Sequence, residues 1–354
     1  MTAALRVLAP GLLTTIQDLG RPGYQSRGIP VSGALDRVGL HAANVLVGNP
    51  PETGALEVAY VGPTLAVDAD EVRLSFAGTD AAIEIFPDEI ASAGRRIETM
   101  RSVRMRRGEV VRIGSLTSGV TLYVGVEGGF AIAPVLGSVS TYLRGGIGGL
   151  HGRALAQGDL LPLRRNTASD REDRRFEHLD LTPPDRFRAI AGPQNDYFSN
   201  GAIETFFNSE YRIGANADRT GMRLEGPRLE HSRSFTSDGI APGSIQVSGN
   251  GQPIVLLADR QTVGGYPKIA TVISADLPPL GRIPIGAKIR FAPVTMEEAA
   301  AARRKLIADI DALASKTVPI ERSEGEFTSK LFDCNLIGGV VDASVGAMER
   351  PKLR

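Results

Sequence analysis

The chain has 354 residues, and its 40 lysines and arginines balance 40 aspartates and glutamates, so the formal net charge is zero. This length allows two compact domains, and the balanced charge argues against a dedicated nucleic-acid-binding protein. The single cysteine, Cys334, excludes an intrachain disulfide and a thiolate metal cage. Because the sequence has no apolar run long enough to cross a bilayer and no signal peptide at its start, we expect a cytoplasmic protein.

The 41 glycines and 22 prolines separate short runs of alternating apolar and polar residues. This pattern predicts a mainly β architecture with many turns. The predicted strands include EVRLSFAG, AAIEIF, EVVRIG, VTLYVGV, RFRAIAG, SIQVSG, QPIVLLA, ATVIS and AKIRFAPV. In VRLSF and IEIF one face is apolar and the other polar, as in half-buried antiparallel strands.

A long segment with little predicted regular structure, residues 14–50, carries the first candidate site residues. Long irregular segments of compact domains are usually functional or disordered, and the interspersed apolar residues argue against disorder. We therefore consider Asp18 and Arg21 as catalytic candidates. The alternative is that the carboxylate forms a turn and the arginine is a solvated partner.

Asp36, in the same segment, has two interpretations. It is a catalytic candidate beside Asp18. It also lies in the first turn of a predicted helix that starts near Ala34 and ends at Gly48, and Ser32 or Asp36 can help to cap that helix.

Further along the chain, a glycine-rich stretch at residues 137–159 contains Tyr142 and Arg144. We consider both as substrate-binding candidates, in a loop that folds over a ligand or lies against another protein chain. A flexible connector is the alternative.

The chain repeats itself in order, which indicates an internal duplication. LRVLAPGLLTTIQDLG parallels FRAIAGPQNDYFSNG, and SGVTLYVGVEGGFAIAPV parallels GQPIVLLADRQTVGGYPK. We predict β domains at residues 1–164 and 186–293. The charged stretch between them, 165–185, is predicted to be an exposed linker.

The second copy carries polar residues that the first copy lacks. LLADRQTVGGYPKIATV, at residues 256–272, keeps the glycine pair of the first copy, so the pair serves the fold. Arg260 can clamp a carboxylate, and Lys268, a further catalytic candidate, supplies a point charge. The alternative is a solvated hairpin tip. The predicted substrate-binding residues of this stretch are Arg260, Gln261, Gly264, Gly265 and Tyr266.

Residues 294–354 are predicted to form a helix and a docking tail. Thr295 and Glu298 have the spacing of a capping box that opens an amphipathic helix. The apolar stretch at 331–343 is predicted to be a final strand or a segment that docks on a partner.

Several common chemistries lack their motifs here. The sequence has no Walker-type phosphate loop, no dinucleotide-binding glycine spacing and no nucleophile elbow. The four histidines fit no metal-binding spacing. We therefore predict no metal site in this chain.

Two long segments together resemble the biotin-dependent carboxyltransferase-like family, which includes the C subunit of 5-oxoprolinase, the KipA antagonist and allophanate hydrolase subunit 2, and is related to urea carboxylase. They are TTIQDLGRPGYQSRGIPVSGALDRVGLHAANVLVGNP and GSIQVSGNGQPIVLLADRQTVGGYPKIATVISADLPPLG, supported by GSVSTYLRGGIGGLHGRAL and NLIGGVVDA. The resemblance implies two β-barrel-like domains of cyclophilin-like fold. It also implies a partner, the KipI-like B subunit of 5-oxoprolinase, and possibly an A subunit of the lactam-utilisation type.

The same resemblance implies that the complex uses ATP to open 5-oxoproline to glutamate. This chain has no Walker motif with which to bind that ATP. One alternative is biotin-dependent carboxyl transfer to urea or another amide, with carboxybiotin on a separate carrier as the donor. Another is that the protein is a non-catalytic antagonist of a KipI-like kinase inhibitor. In the enzymatic alternatives, Arg21, Arg260 and Lys268 are candidates to stabilise the developing oxyanion, and Asp18 or Asp36 to move protons.

Overall fold

The computed structural model of the protein describes residues 3–231 and 236–321. The predicted docking segment at 331–343 and Cys334 lie outside these residues. The mainly β prediction is confirmed, because strands dominate both halves of the described chain. No helix in the described ranges has both the length and the hydropathy needed to cross a bilayer.

The strands of the first half form two antiparallel sheets around one apolar core. The first sheet has the order β11-β1-β4-β9-β6-β7, and the second contains β2-β3-β10-β5-β8. Leu5, Leu74 and Val111 are fully buried in the shared core. The strands are β1 (Ala4–Ala9), β2 (Leu13–Gln17), β3 (Ala55–Ala59), β4 (Thr64–Val67), β5 (Glu71–Gly78), β6 (Ala81–Phe86), β7 (Arg95–Ile97), β8 (Arg101–Arg106), β9 (Val110–Leu116), β10 (Thr121–Val126) and β11 (Leu160–Pro162).

Helix α1 (Arg37–Val47) packs on the outer face of the second sheet, against β5 and β10. Its Leu40, Ala43 and Leu46 are fully buried. The helix begins three residues later than predicted but ends at Gly48, as predicted, in the left-handed conformation that glycine adopts without strain. Because α1 covers this face, Ser75 on β5 is buried and donates to the carbonyl of Ala43 at 2.6 Å.

The predicted linker is not exposed throughout, because part of it packs on the second sheet. Within it, β12 (Arg174–Phe176) continues the sheet beyond β8. Asp173 accepts a hydrogen bond from Arg73 at 2.8 Å. Arg73 lies on β5 with its side chain fully buried, and a buried guanidinium requires such partners. The polar face of VRLSF is therefore covered rather than solvated as expected.

The second half contains a closed seven-stranded barrel with the order β13-β20-β17-β18-β15-β14-β21. Phe187, Tyr211 and Phe291 lie in its core. Helix α2 (Asn200–Asn208) packs on β21, and the short α3 (Leu277–Leu280) follows β20. The strands are β13 (Arg186–Ala191), β14 (Tyr211–Ala217), β15 (Gly221–Glu225), β16 (Asp238–Gly239), β17 (Ser244–Val247), β18 (Pro253–Leu256), β19 (Val263–Gly264), β20 (Lys268–Val272) and β21 (Lys288–Pro293); β16 and β19 pair separately.

Helix α4 (Met296–Asp311) follows the barrel and has the predicted capping box. The Thr295 hydroxyl accepts from the Glu298 amide at 3.2 Å, and the Thr295 amide donates to the Glu298 carboxylate at 2.8 Å. The last described strand, β22 (Thr317–Pro319), ends the second sheet. Short 3₁₀ helices occupy Gln25–Arg27, Leu143–Gly145, Asn195–Tyr197 and Ala314–Lys316.

Candidate functional site at the junction of the two halves

Asp18, directly after β2, is buried and held by four donors. Its carboxylate accepts from the Ser138 hydroxyl at 2.6 Å and from the amides of Gly20 and Val139 at 2.7 Å each. The Ser140 hydroxyl is the fourth donor. These bonds join the end of β2 to residues 138–140, so Asp18 positions this part of the junction.

Arg21 lies three residues further on, and its side chain is fully buried. One terminal nitrogen donates to the carbonyl of Ser140. Within the described part of the chain, Nε and Nη1 have no hydrogen-bond partner. Burial lowers the pKa of Arg21, although the charges of Asp18 and Asp259 oppose that shift. Two N–H donors of this kind match the oxygens of a carboxylate or an oxyanion.

The glycine-rich loop folds over Arg21. A Cβ atom at Gly148 would lie 2.6 Å from Nη2 of Arg21 and 2.0 Å from the carbonyl oxygen of Ser140, and Gly148 has φ +73°. Only glycine therefore fits there. Tyr142 is half-buried at the start of this loop, and Arg144 is exposed and pairs with Asp218 of the second half at 3.3 Å.

Asp36 is the N-cap of α1, one of the two roles that the sequence left open. Its carboxylate accepts from the Val38 amide at 3.0 Å and forms an ion pair with Arg282 at 2.6 Å. Its own amide donates to the Tyr123 hydroxyl at 2.9 Å. Asp36 thus links α1 to the second half of the chain, and a role in proton transfer stays a prediction.

A buried ion cluster that the sequence analysis missed connects the halves. Arg219 pairs with Glu57 of the first half and with Asp259 at 2.9 Å, and it donates to the carbonyl of Gly33 at 2.6 Å. Ser32 donates to Asp259. Burial works to lower the pKa of Arg219, but the charges of Glu57 and Asp259 outweigh it and raise this pKa. One feature of the sequence could have indicated this cluster: Glu57 is a charged residue inside the otherwise apolar strand ALEVA.

Arg260 and Lys268 both hold the segment around β16. Arg260 donates from Nε to the carbonyl of Ile240 at 3.0 Å. Lys268 donates to the Asp238 carboxylate at 2.8 Å and to the carbonyl of Gly239 at 2.9 Å. Both cations are only 2% exposed. The structure therefore brings them together and gives each an internal partner.

The remaining predicted residues of this hairpin lie nearer the surface. Gln261 is exposed and donates to buried Gln246 at 3.3 Å, while Gly265 and Tyr266 are exposed. A Cβ atom at Gly264 would lie 2.7 Å from Cδ1 of Ile240, the end of a flexible side chain that can shift, so this contact favours glycine without requiring it.

The equivalent glycines of the first copy meet a different requirement. Gly128 and Gly129 adopt φ +80° and +76°. The backbone turn therefore accounts for the glycines at 128 and 129, whereas Gly264 has no such backbone requirement. Among residues 3–231 and 236–321, no cluster of histidine, cysteine or carboxylate side chains has the arrangement of a metal site.

Comparison with known proteins relates this chain to one family. A family model described as carboxyltransferase domain, subdomain A and B, matches residues 27–293. The chain is 37% identical over 303 residues to the C subunit of 5-oxoprolinase from Escherichia coli, covering 85% of this chain and 94% of that protein.

Larger proteins contain a similar module. The chain is 32% identical over 320 residues to the urea amidolyase of Saccharomyces cerevisiae, covering 83% of this chain and 17% of that protein. The structure matches the urea amidolyase of Kluyveromyces lactis with a TM-score of 0.80 at 27% identity, over 92% of this chain and 20% of the other. This chain spans about a fifth of these longer proteins.

Proposed function

Because the chain belongs to the carboxyltransferase domain family with subdomains A and B, we propose that it is the C subunit of a 5-oxoprolinase-type complex. The reaction opens 5-oxoproline to glutamate by hydrolysis of the lactam C–N bond. The observation that carries this proposal is the match to the C subunit of a 5-oxoprolinase along nearly its whole length. The urea amidolyases match only through a small part of their chains.

Arg21 is the residue of this chain to which we assign contact with the substrate. Lactam hydrolysis places negative charge on the carbonyl oxygen, and preorganised donors in a dry site stabilise that charge strongly. The guanidinium of Arg21 has two buried nitrogens without partners in the described chain. Arg260 and Lys268 already donate to carbonyl or carboxylate oxygens within the protein. We therefore assign these two cations to holding the segment around β16 in place.

Asp18 and Asp36 act as positioning residues in this proposal. Asp18 holds residues 138–140, whose Ser140 carbonyl orients Arg21. Asp36 fixes the start of α1 against Arg282. The glycine loop at residues 145–152 shields Arg21 from water, which strengthens its interaction with an anion. Because Arg21 is fully buried, binding of the substrate in this proposal requires the loop to move.

ATP supplies the activation of the lactam in this reaction. Since the sequence has no phosphate-loop motif, we assign ATP binding to the partner proteins. The predicted partners are the KipI-like B subunit and an A subunit of the lactam-utilisation type.

Reconstitution tests the proposal. The three proteins are mixed with 5-oxoproline and ATP, and glutamate release is measured with and without this chain. We expect ATP-dependent release only in the complete mixture. An inert mixture in which this chain still binds the KipI-like partner would contradict the proposal and favour the antagonist of a KipI-like inhibitor.

A urea-type carboxyltransferase is the second candidate, favoured by the fold match to a urea amidolyase over most of this chain. It predicts that a biotinylated carrier protein stimulates turnover of urea or another amide. Absence of any response to the carrier, together with glutamate release from 5-oxoproline, would exclude it.

A further inference from the structure

A cavity of about 520 Å³ lies between α1, α3 and α4, in a part of the molecule that the proposed reaction does not use. Its size is within the range of small-molecule sites. Most of the wall is apolar and includes Leu19, Leu257, Leu277, Leu306 and Ile310. Such a wall accommodates the hydrocarbon part of a ligand.

The polar groups of the cavity are predominantly cationic. The side chains of Arg37, Arg260 and Arg303 line it together with His41, against one carboxylate, Asp311. Arg260 is held by main-chain carbonyls, and burial lowers its pKa to about 10. The excess of positive charge favours an anionic ligand.

His41 lies inside the cavity, one helical turn after Arg37 on α1. It is 9% exposed, and its Nδ1 has no hydrogen-bond partner in the described chain. Burial, followed by the charge of Arg37, lowers the pKa of His41. The ring of His41 therefore forms part of the cavity wall, where the charged form of the imidazole is disfavoured.

Arg37 and Arg303 lie at the exposed rim, on α1 and α4 respectively. Desolvation lowers the pKa of Arg37, and the charge of Arg303 adds to the effect. Neither arginine forms an ion pair within the described ranges. An anion placed between these like charges relieves their repulsion.

We propose that this cavity binds an organic carboxylate with an apolar body. The carboxylate lies between Arg37 and Arg303 with His41 beneath it, and the apolar body fills the space among the leucine and isoleucine side chains. Helix α4 buries none of its own residues fully, so the ligand links α4 to α1. The site does not contain Arg21 and is independent of the 5-oxoprolinase proposal.

Octanoate is a suitable probe. Calorimetric titration of the full chain should show binding, and hydrogen exchange should show increased protection of α4 amides when octanoate is present. Octylamine, which reverses the charge of the probe, should bind at least about tenfold more weakly, a difference of about 1.4 kcal/mol. The double variant Arg37→Gln, Arg303→Gln should weaken octanoate binding by at least the same factor.

Matched controls separate a specific site from general apolar binding. Arg304→Gln changes the next arginine of α4, which does not line the cavity, and should bind octanoate as the wild type does. Ile307→Trp, at a side chain 48% exposed, should fill the cavity and abolish binding without unfolding the protein. The proposal is overturned if straight-chain carboxylates from butyrate to decanoate fail to bind at about 10 mM, or if the double variant and Arg304→Gln behave alike.

Discussion

Single residues of the first half show how buried charge is stabilised in this protein. Glu127 accepts from Arg73 at 2.5 Å, from Arg165 at 3.2 Å and from the Ser169 amide at 3.1 Å. Burial works to raise the pKa of Glu127, but the Ser169 hydrogen bonds and the charges of the two arginines outweigh it and hold the pKa below its usual value of 4.5. A carboxylate with a depressed pKa favours folding above the pKa of the unfolded chain.

Glu127→Gln should therefore destabilise the protein most at neutral pH. Removal of the charge leaves Arg73 with one carboxylate fewer, and we expect a loss of about 3 kcal/mol in unfolding free energy. As the pH falls from 4.5 toward the lower pKa of the folded protein, the unfolded chain takes up the proton first, so the wild type loses stability and the difference between the two proteins narrows. Urea unfolding at neutral pH and at roughly pH 3.5 measures this.

The matched control is Glu84→Gln, in a pair with Arg96, whose side chain is 86% exposed. It should change the unfolding free energy by less than about 0.5 kcal/mol at either pH. If the difference in unfolding free energy between the wild type and Glu127→Gln stays constant with pH, protonation of Glu127 is not coupled to folding as assigned here.

The sequence allowed some residue roles to be predicted and concealed others. The cap formed by Asp36 follows from its position before a helical stretch, because capping is local. The pairing of Arg219 with Glu57 joins residues separated by 162 positions, and no local pattern reports it. The predicted anion-binding role of Arg21 has the buried, partner-free nitrogens that it requires, but its assignment to substrate is still a proposal.

Helix α4 is the element whose stability depends most on its ends. Because it buries no residue fully, tertiary packing contributes little, and the capping box of Thr295 and Glu298 carries a larger share. Thr295→Ala should cost about 1 kcal/mol of local helix stability. Hydrogen exchange of the first-turn amides measures this loss.

Thr295→Ser retains the capping hydroxyl and serves as the control, with exchange close to that of the wild type. The melting temperature of the whole protein should change little in either variant, since the two apolar cores lie elsewhere. Equal exchange rates in Thr295→Ala and the wild type would show that the cap does not hold the helix.

Among the elements, strands were easier to predict than helices. β5 and β6 have the predicted bounds, because their alternation of apolar and polar residues is clean. The burial of β5 on both faces depends on the later docking of α1 and the linker, which its own pattern does not contain. Helix α2 was missed although Ser199 caps it and Phe206 is buried, because its nine residues span too few turns for a clear period.

At the scale of the whole molecule, Arg219 is the main charged connection between the halves. Replacement by methionine leaves the carboxylates of Glu57 and Asp259 buried without their cation. We expect a loss of about 3–5 kcal/mol in unfolding free energy, measured by urea unfolding. Arg223→Met, on the exposed face of β15, should lie within about 0.5 kcal/mol of the wild type. If the two variants are equally stable, the ion cluster does not stabilise the connection between the halves.

The mainly β architecture was predictable because each half contains its own turns and alternating strands. The junction between the halves was not, because its geometry depends on which surfaces meet after each half has folded. The polar segment at residues 14–50 was predicted to be functional because it is long and irregular, and that role stays a prediction. Its contacts with residues 138–152 and with the second half emerged only in three dimensions.

The central hypothesis, that buried Arg21 stabilises charge on the substrate, is tested most directly in the reconstituted complex. Arg21→Ala should lower kcat for glutamate release by about 100-fold or more, Arg21→Lys should restore part of the rate, and Arg27→Ala, at an exposed arginine of the same segment, should match the wild type. If Arg21→Ala assembles with its partners and releases glutamate at the wild-type rate, the hypothesis is contradicted.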